Sequence, residues 1–163
     1  MPRTFQDPQK RYFEFYKLGD RLTTRRRTVE MADILNFASL TGDFYPLHID
    51  EVHSKQTQFK SRIAHGPLTF SLAVGLVGMT GFYGDAIVAL KEITGMRATA
   101  PVLPGDTIHV EAEVVELNGS GGPKYGILTV RYNVLNQRAA LVMTFLQTML
   151  ARKKPLKGEY DEH

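Results

Sequence analysis

The run Gly66-Pro67-Leu68-Thr69-Phe70-Ser71-Leu72-Ala73-Val74-Gly75-Leu76-Val77 decides the fold. Proline is favoured at the first helical position, where a missing N–H is harmless, so Gly66-Pro67 reads as a helix start. The residues after it are apolar or small on every side. A helix without a polar face is buried rather than laid on a surface, so the rest of the chain must supply a layer to cover it. Ser71, Ala73, Gly75 and Gly78 are expected to face that layer and let it approach closely.

The second half of the chain supplies the layer. Residues 108–117 alternate polar and apolar side chains with a period close to two, as a half-exposed strand does. Asn118-Gly119-Ser120-Gly121-Gly122-Pro123 is a dense turn signal. It has the glycine content of a phosphate-cradling loop, but no helix follows it, and a hairpin turn is the better account. Residues 125–135 and 139–151 give two more β-rich runs, joined by Asn136-Gln137-Arg138. Strands in succession with short connections imply an antiparallel meander. One apolar helix beside such a sheet has a natural solution: the sheet wraps the helix, an α+β layering. Upstream, Met31, Ile34, Leu35 and Ala38 follow the spacing of an amphipathic helix. That helix has start signals over residues 28–30 and a stop at Gly42.

Bulk properties bound the function. At 163 residues with no internal repeat, the chain is expected to be one domain over 1–163, with residues 1–10 and 152–163 as loosely held tails. The net charge of +3 is too small and too dispersed to argue for nucleic acid. Cysteine is absent, which excludes a disulfide scaffold, a thiol nucleophile and the usual structural zinc sites. Met1-Pro2-Arg3-Thr4 opens no signal-peptide-like apolar stretch, and the longest apolar-leaning run, residues 68–79, is too short to span a bilayer. A cytoplasmic protein without membrane association is the expectation.

The stretch Leu40-Thr41-Gly42-Asp43-Phe44-Tyr45-Pro46-Leu47-His48-Ile49-Asp50 carries the chemistry. On a continuous helix Asp43 and His48 would point roughly 140° apart. Pro46 prevents that by pushing Tyr45 into an extended conformation, and Gly42 can end the preceding helix in a left-handed turn. The bend brings a carboxylate and an imidazole within reach of one site. Such a pair, sharing one water, can take a proton from it and return one to carbon. On spacing alone, ordinary turn chemistry stands ahead of this reading, because Gly-Asp before Pro is a common turn.

Three segments together resemble the MaoC-like, R-specific enoyl-CoA hydratase family. Thr41-Gly42-Asp43-Phe44-Tyr45-Pro46-Leu47-His48, with Ser54 six residues later, is similar to its hydratase-2 motif. Arg62-Ile63-Ala64-His65-Gly66-Pro67-Leu68 resembles the segment that leads into the family's central helix. Pro101-Val102-Leu103-Pro104-Gly105-Asp106-Thr107 resembles its Pro-Val-x-x-Gly-Asp-Thr turn. The resemblance implies a hotdog fold, a curved antiparallel sheet wrapped around one long central helix. It implies Asp43 and His48 as the catalytic residues that activate water for syn addition across a trans-2-enoyl thioester. It implies the Gly66 amide as the group that polarises the thioester carbonyl, as a helix N-terminus is suited to do. No metal or redox cofactor is implied, since coenzyme A belongs to the substrate. A homodimer is. The sequence departs from the family where Tyr45 stands in place of the usual Asn. That departure opens the substrate class and keeps a non-catalytic acyl-binding subunit in view. Two further readings stay open: an acyl carrier protein as the thioester's carrier, and a hotdog thioesterase.

The remaining polar residues receive more modest readings. Tyr45 and His65 are candidates for the acyl pocket, although a histidine placed like His65 more often satisfies local backbone groups. His53 and His109 read as surface-facing. No single period aligns His48, Asp50 and His53, which argues against a metal site there. Arg25-Arg26-Arg27 and Lys153-Lys154 are read first as solvated charge and second as contacts for coenzyme A phosphates. The acyl group is expected to be selected by residues around 49–65.

Overall fold

The computed structural model describes residues 8–155. A 3₁₀ turn at Phe13–Phe15 is followed in chain order by β1 (Arg21–Thr23), β2 (Arg27–Thr28), α1 (Met31–Thr41), α2 (Pro46–Ile49), α3 (Glu51–Gln56), α4 (Gly66–Gly78), β3 (Ile87–Ala98), β4 (Thr107–Asn118), β5 (Tyr125–Leu135) and β6 (Leu141–Arg152). The strands form one antiparallel sheet in the order β1–β4–β5–β6–β3, and β2 also pairs with β4. Thr24 joins the two short strands to β4: its amide donates to the Val110 carbonyl and its hydroxyl accepts from the Val110 amide, both at 2.9 Å. The sheet curves around α4, which is the hotdog arrangement.

The α4 helix seats its Leu68, Thr69, Ala73, Leu76 and Val77 in the core. Phe70 meets Phe145 of β6 edge-on at 4.9 Å, and Phe145 stacks on Tyr132 of β5 at 4.6 Å. Burial of aromatic side chains of this size contributes about 1.5–3 kcal/mol each, so this trio fastens helix to sheet. Two expectations for α4 are corrected. The helix is not covered on every side, because Pro67, Ser71, Gly75 and Gly78 are exposed. A Cβ added at Gly75 or Gly78 would touch nothing within 4 Å, so these glycines serve no contact with the sheet in the single chain. Among the four small residues, Ala73 alone is buried.

The long β3 strand has no alternating pattern in its sequence, and its pairing shows why. Its register against β6 shifts three times, between Ile87 and Ala89, Leu90 and Glu92, and Thr94 and Arg97. Each shift resets which side chains share a face. As an edge strand it leaves Val88, Leu90 and Met96 exposed.

Of the expected tails, residues 1–7 and 156–163 lie outside the described residues. Within them, the Gln9 carbonyl accepts from the Asp85 amide at 3.1 Å. Arg152 ends β6, and the Lys153 and Lys154 amides donate to the Lys124 carbonyl and the Glu14 carboxylate at 2.9 and 3.0 Å. Lys153 is half-exposed, and its Nζ donates to the Gly119 and Gly122 carbonyls at 2.6 and 2.9 Å, closing the β4–β5 turn. Among the described residues no helix is long and apolar enough to cross a membrane.

Candidate active site

Local sequence places the acid–base pair. Ile34 and Ala38 bury one face of α1, and Gly42 ends it in the left-handed region with φ 78°. Asp43 then turns the chain, its Oδ1 accepting from the Tyr45 amide at 3.3 Å. Tyr45 is extended, as the proline after it requires, but Pro46 does more than bend the chain. It opens the short helix α2, which carries His48 in its last turn. The fully buried Ser54 of α3 holds that helix down, donating to the Leu47 carbonyl at 3.0 Å.

The imidazole of His48 is fixed from the segment that precedes α4. Its Nδ1 lies 2.8 Å from the Ile63 carbonyl, an arrangement that requires the proton on Nδ1, so that in the neutral ring the lone pair is on Nε2. His65 lies behind it, with the two rings stacked at 3.8 Å. Side-chain donor atoms of Asp43, His48 and His65 all fall within 4.8 Å of one another. His48, Asp50 and His53 do not form such a group; the Asp50 carboxylate instead caps α3 through the His53 amide at 2.9 Å. A cation is poorly served by the group that does form. The His65 Nε2 faces the Asp43 carbonyl at 3.0 Å and must carry a proton there, so that nitrogen offers no lone pair.

A cavity of about 280 Å³ opens beside His48; Asp43 does not line it. His48 and Gly66 stand in its wall, and the rest is largely apolar: Phe59, Ile63, Ala64, residues 98–102, Val142 and Met143, with Thr69. Gly66 is the first residue of α4, so its N–H has no partner within the helix. The third sequence segment shapes the far wall. The buried Asp106 carboxylate accepts from the Leu103 amide at 2.9 Å and the Gln137 side chain at 2.6 Å. Together with Gly105 at φ 90°, it fixes the turn that carries Pro101 and Val102.

Several expected residues fall elsewhere. His65 is 1% exposed and does not line the cavity. Tyr45 is 62% exposed, with its ring 6.4 Å from that of His48, and it too lies outside the wall. The pocket draws only Phe59, Ile63 and Ala64 from residues 49–65. Its other walls are residues 98–102, of which Pro101 and Val102 open the third family-like segment, and Val142 and Met143 of β6, which no motif marks. His53 is exposed, whereas His109 is half-buried, its Nδ1 without a hydrogen-bond partner. Arg25 and Arg26 are exposed between β1 and β2, and Arg27 is paired with Asp33 at 2.7 Å.

The family of the MaoC like domain matches residues 16–135. The chain belongs to that family. It is similar to Protein MaoC of Klebsiella aerogenes, with 40% identity over 103 residues, which are 63% of this chain and 30% of that protein. It thus spans under a third of that relative's length. It is also similar to the (R)-specific enoyl-CoA hydratase of Rhodospirillum rubrum, with 33% identity over 106 residues, 65% of this chain and 71% of that enzyme. Among solved structures, one described as a monoamine oxidase regulatory protein from Archaeoglobus fulgidus superposes with a TM-score of 0.84 at 40% identity. It covers 88% of this chain and 95% of that one. This MaoC-like chain therefore carries its Asp43, His48 and Gly66 on a scaffold it shares with hydratases.

Proposed function

We propose that this MaoC-like protein reversibly hydrates a trans-2-enoyl thioester, on coenzyme A, to the (R)-3-hydroxyacyl thioester. One observation carries the reading: the Asp43 carboxylate lies within 4.8 Å of the His48 ring, which lines an apolar cavity together with Gly66 at the start of α4. A water held between the Asp43 carboxylate and His48 Nε2 loses a proton to the pair as its oxygen bonds to C3. Negative charge then moves onto the thioester oxygen, where the Gly66 N–H and the positive end of α4 stabilise it. The proton returns to C2, and the pair is restored. This chemistry draws on no metal and no redox cofactor.

The similarity to an (R)-specific enoyl-CoA hydratase supports both the reaction and its hand. The exposed face of α4 and the open β3 edge support a homodimer, in which a second copy would cover both.

Asp43→Asn and His48→Ala are each expected to lower hydratase turnover by a factor of about 10² to 10⁴ while the protein stays folded. Turnover is followed by the loss of enoyl absorbance. Unchanged turnover in either variant would sink the assignment, and release of free thiol without loss of enoyl absorbance would mean a thioesterase instead. Faster, salt-sensitive turnover on an acyl carrier protein thioester would move the substrate to that carrier.

A further inference from the structure

His65 is a buried polar side chain beside the acid–base pair that the proposed reaction leaves unused. Its ring is 1% exposed and lies between two other rings, Phe37 of α1 at 5.1 Å and His48 at 3.8 Å with an interplanar angle of 28°. Its Nε2 faces the Asp43 backbone carbonyl at 3.0 Å, which fixes the proton on that nitrogen. Its Nδ1 has no partner, although it is buried. An imidazole with an unsatisfied nitrogen in the interior is an expensive filler, and an apolar ring would fill the same space without that penalty. The backbone of His65 meanwhile caps α4, its carbonyl accepting from the Thr69 amide at 3.1 Å. One residue thus touches the loop of Asp43, the face of His48 and the helix end that begins with Gly66.

We propose that His65 is a positioning residue: its N–H holds the Asp43 loop while its ring sets the plane of His48, so that carboxylate and imidazole converge on one water. This rests on the hydratase reading above. Because His65 does not enter the cavity wall, substrate binding should not depend on it.

Two substitutions separate its two contacts. His65→Phe keeps a flat ring against His48 and removes the donor to Asp43; His65→Gln keeps a donor and removes the ring. Each is expected to lower kcat about ten- to a hundred-fold, the scale of a misplaced catalytic group, with KM for a short enoyl-CoA within about two-fold of wild type. A KM that rises while kcat holds would put His65 in the acyl site and overturn the proposal. Wild-type kcat in both variants would overturn it as well.

The His48 ring proton resonances give a readout that needs no turnover. Stacking should hold them near their wild-type position in His65→Phe and release them in His65→Gln. If the wild-type protein turns over no enoyl thioester, the functional reading fails, and the resonances still judge the positioning. Signals of His48 that ignore His65→Gln would overturn it.

Discussion

The buried hydroxyl of Ser54 donates to the Leu47 carbonyl at 3.0 Å, one residue before His48. The same hydroxyl lies 3.4 Å from the Pro46 carbonyl, so a single side chain of α3 holds the two successive carbonyls that open the helix carrying the imidazole. Ser54→Ala removes that grip without changing any group that meets substrate. It is expected to cost about 1 kcal/mol of stability and to lower kcat about ten-fold as His48 loses its register. Chemical denaturation and steady-state kinetics on the same preparation check both. A loss of stability with unchanged kcat would show that α2 keeps its place unaided.

Gly66 offers a test of the thioester amide that leaves the fold alone. A Cβ built there meets no atom of the chain within 4 Å, and its backbone lies in no conformation reserved for glycine. The protein should therefore tolerate Gly66→Ala, with a melting temperature close to wild type. The added methyl would project where the thioester must approach the N–H, so kcat/KM is expected to fall by about 10²-fold. Wild-type kinetics in this variant would move the carbonyl-binding role away from Gly66.

How much of the molecule is legible in the chain depends on what each element rests on. The start of α4 at Gly66-Pro67, the stop of α1 at Gly42 and the span of β5 follow from local rules: proline at the first turn, glycine in a left-handed cap, side chains alternating across a strand. The reading of Asp43 and His48 as a pair rests on the resemblance of three segments taken together, since spacing alone favours an ordinary turn. What stays hidden depends on distant partners. β3 is a strand because β6 lies beside it, and its bulges erase the alternation that would announce it. His65 gives no sign in the sequence of being a buried contact to both Asp43 and His48, since only the fold brings residues 43, 48 and 65 together. Lys153 reads as tail charge because the carbonyls it holds, on Gly119 and Gly122, are more than thirty positions away in sequence.

Gly126 of β5 is required by a contact rather than by its backbone. A Cβ at this position would overlap the ring of Phe13, from the 3₁₀ turn that crosses the strand. Gly126→Ala should therefore force that turn off the sheet and destabilise the protein by about 1–3 kcal/mol. Pairing it with Phe13→Ala, which empties the space, should recover part of the loss relative to the sum of the two single changes. Simple additivity in thermal or urea unfolding would show that the ring and the strand are not in contact.

Tyr16 is one of three phenols, with Tyr83 and Tyr132, whose burial raises their pKa and makes stability fall in alkali. Its phenol is buried, and its hydroxyl donates to the Tyr83 carbonyl at 2.9 Å. Burial pushes its pKa from 10.0 up to about 12, against the lowering pull of Arg11. The folded protein therefore holds this proton more tightly than the unfolded chain does. The contribution is fully present below pH 10, shrinks as the unfolded chain begins to release its proton, and is gone once pH passes about 12. A shift of that size corresponds to roughly 2–3 kcal/mol. Tyr132, raised to about 12 by its own burial, adds to the same decline. Tyr16→Phe should lower stability at neutral pH by about 1 kcal/mol through the lost hydrogen bond. The variant should then lose stability less steeply than wild type above pH 10, so that the two unfolding curves converge as alkali is added. Parallel curves in urea titrations across that range would place the titrating group elsewhere.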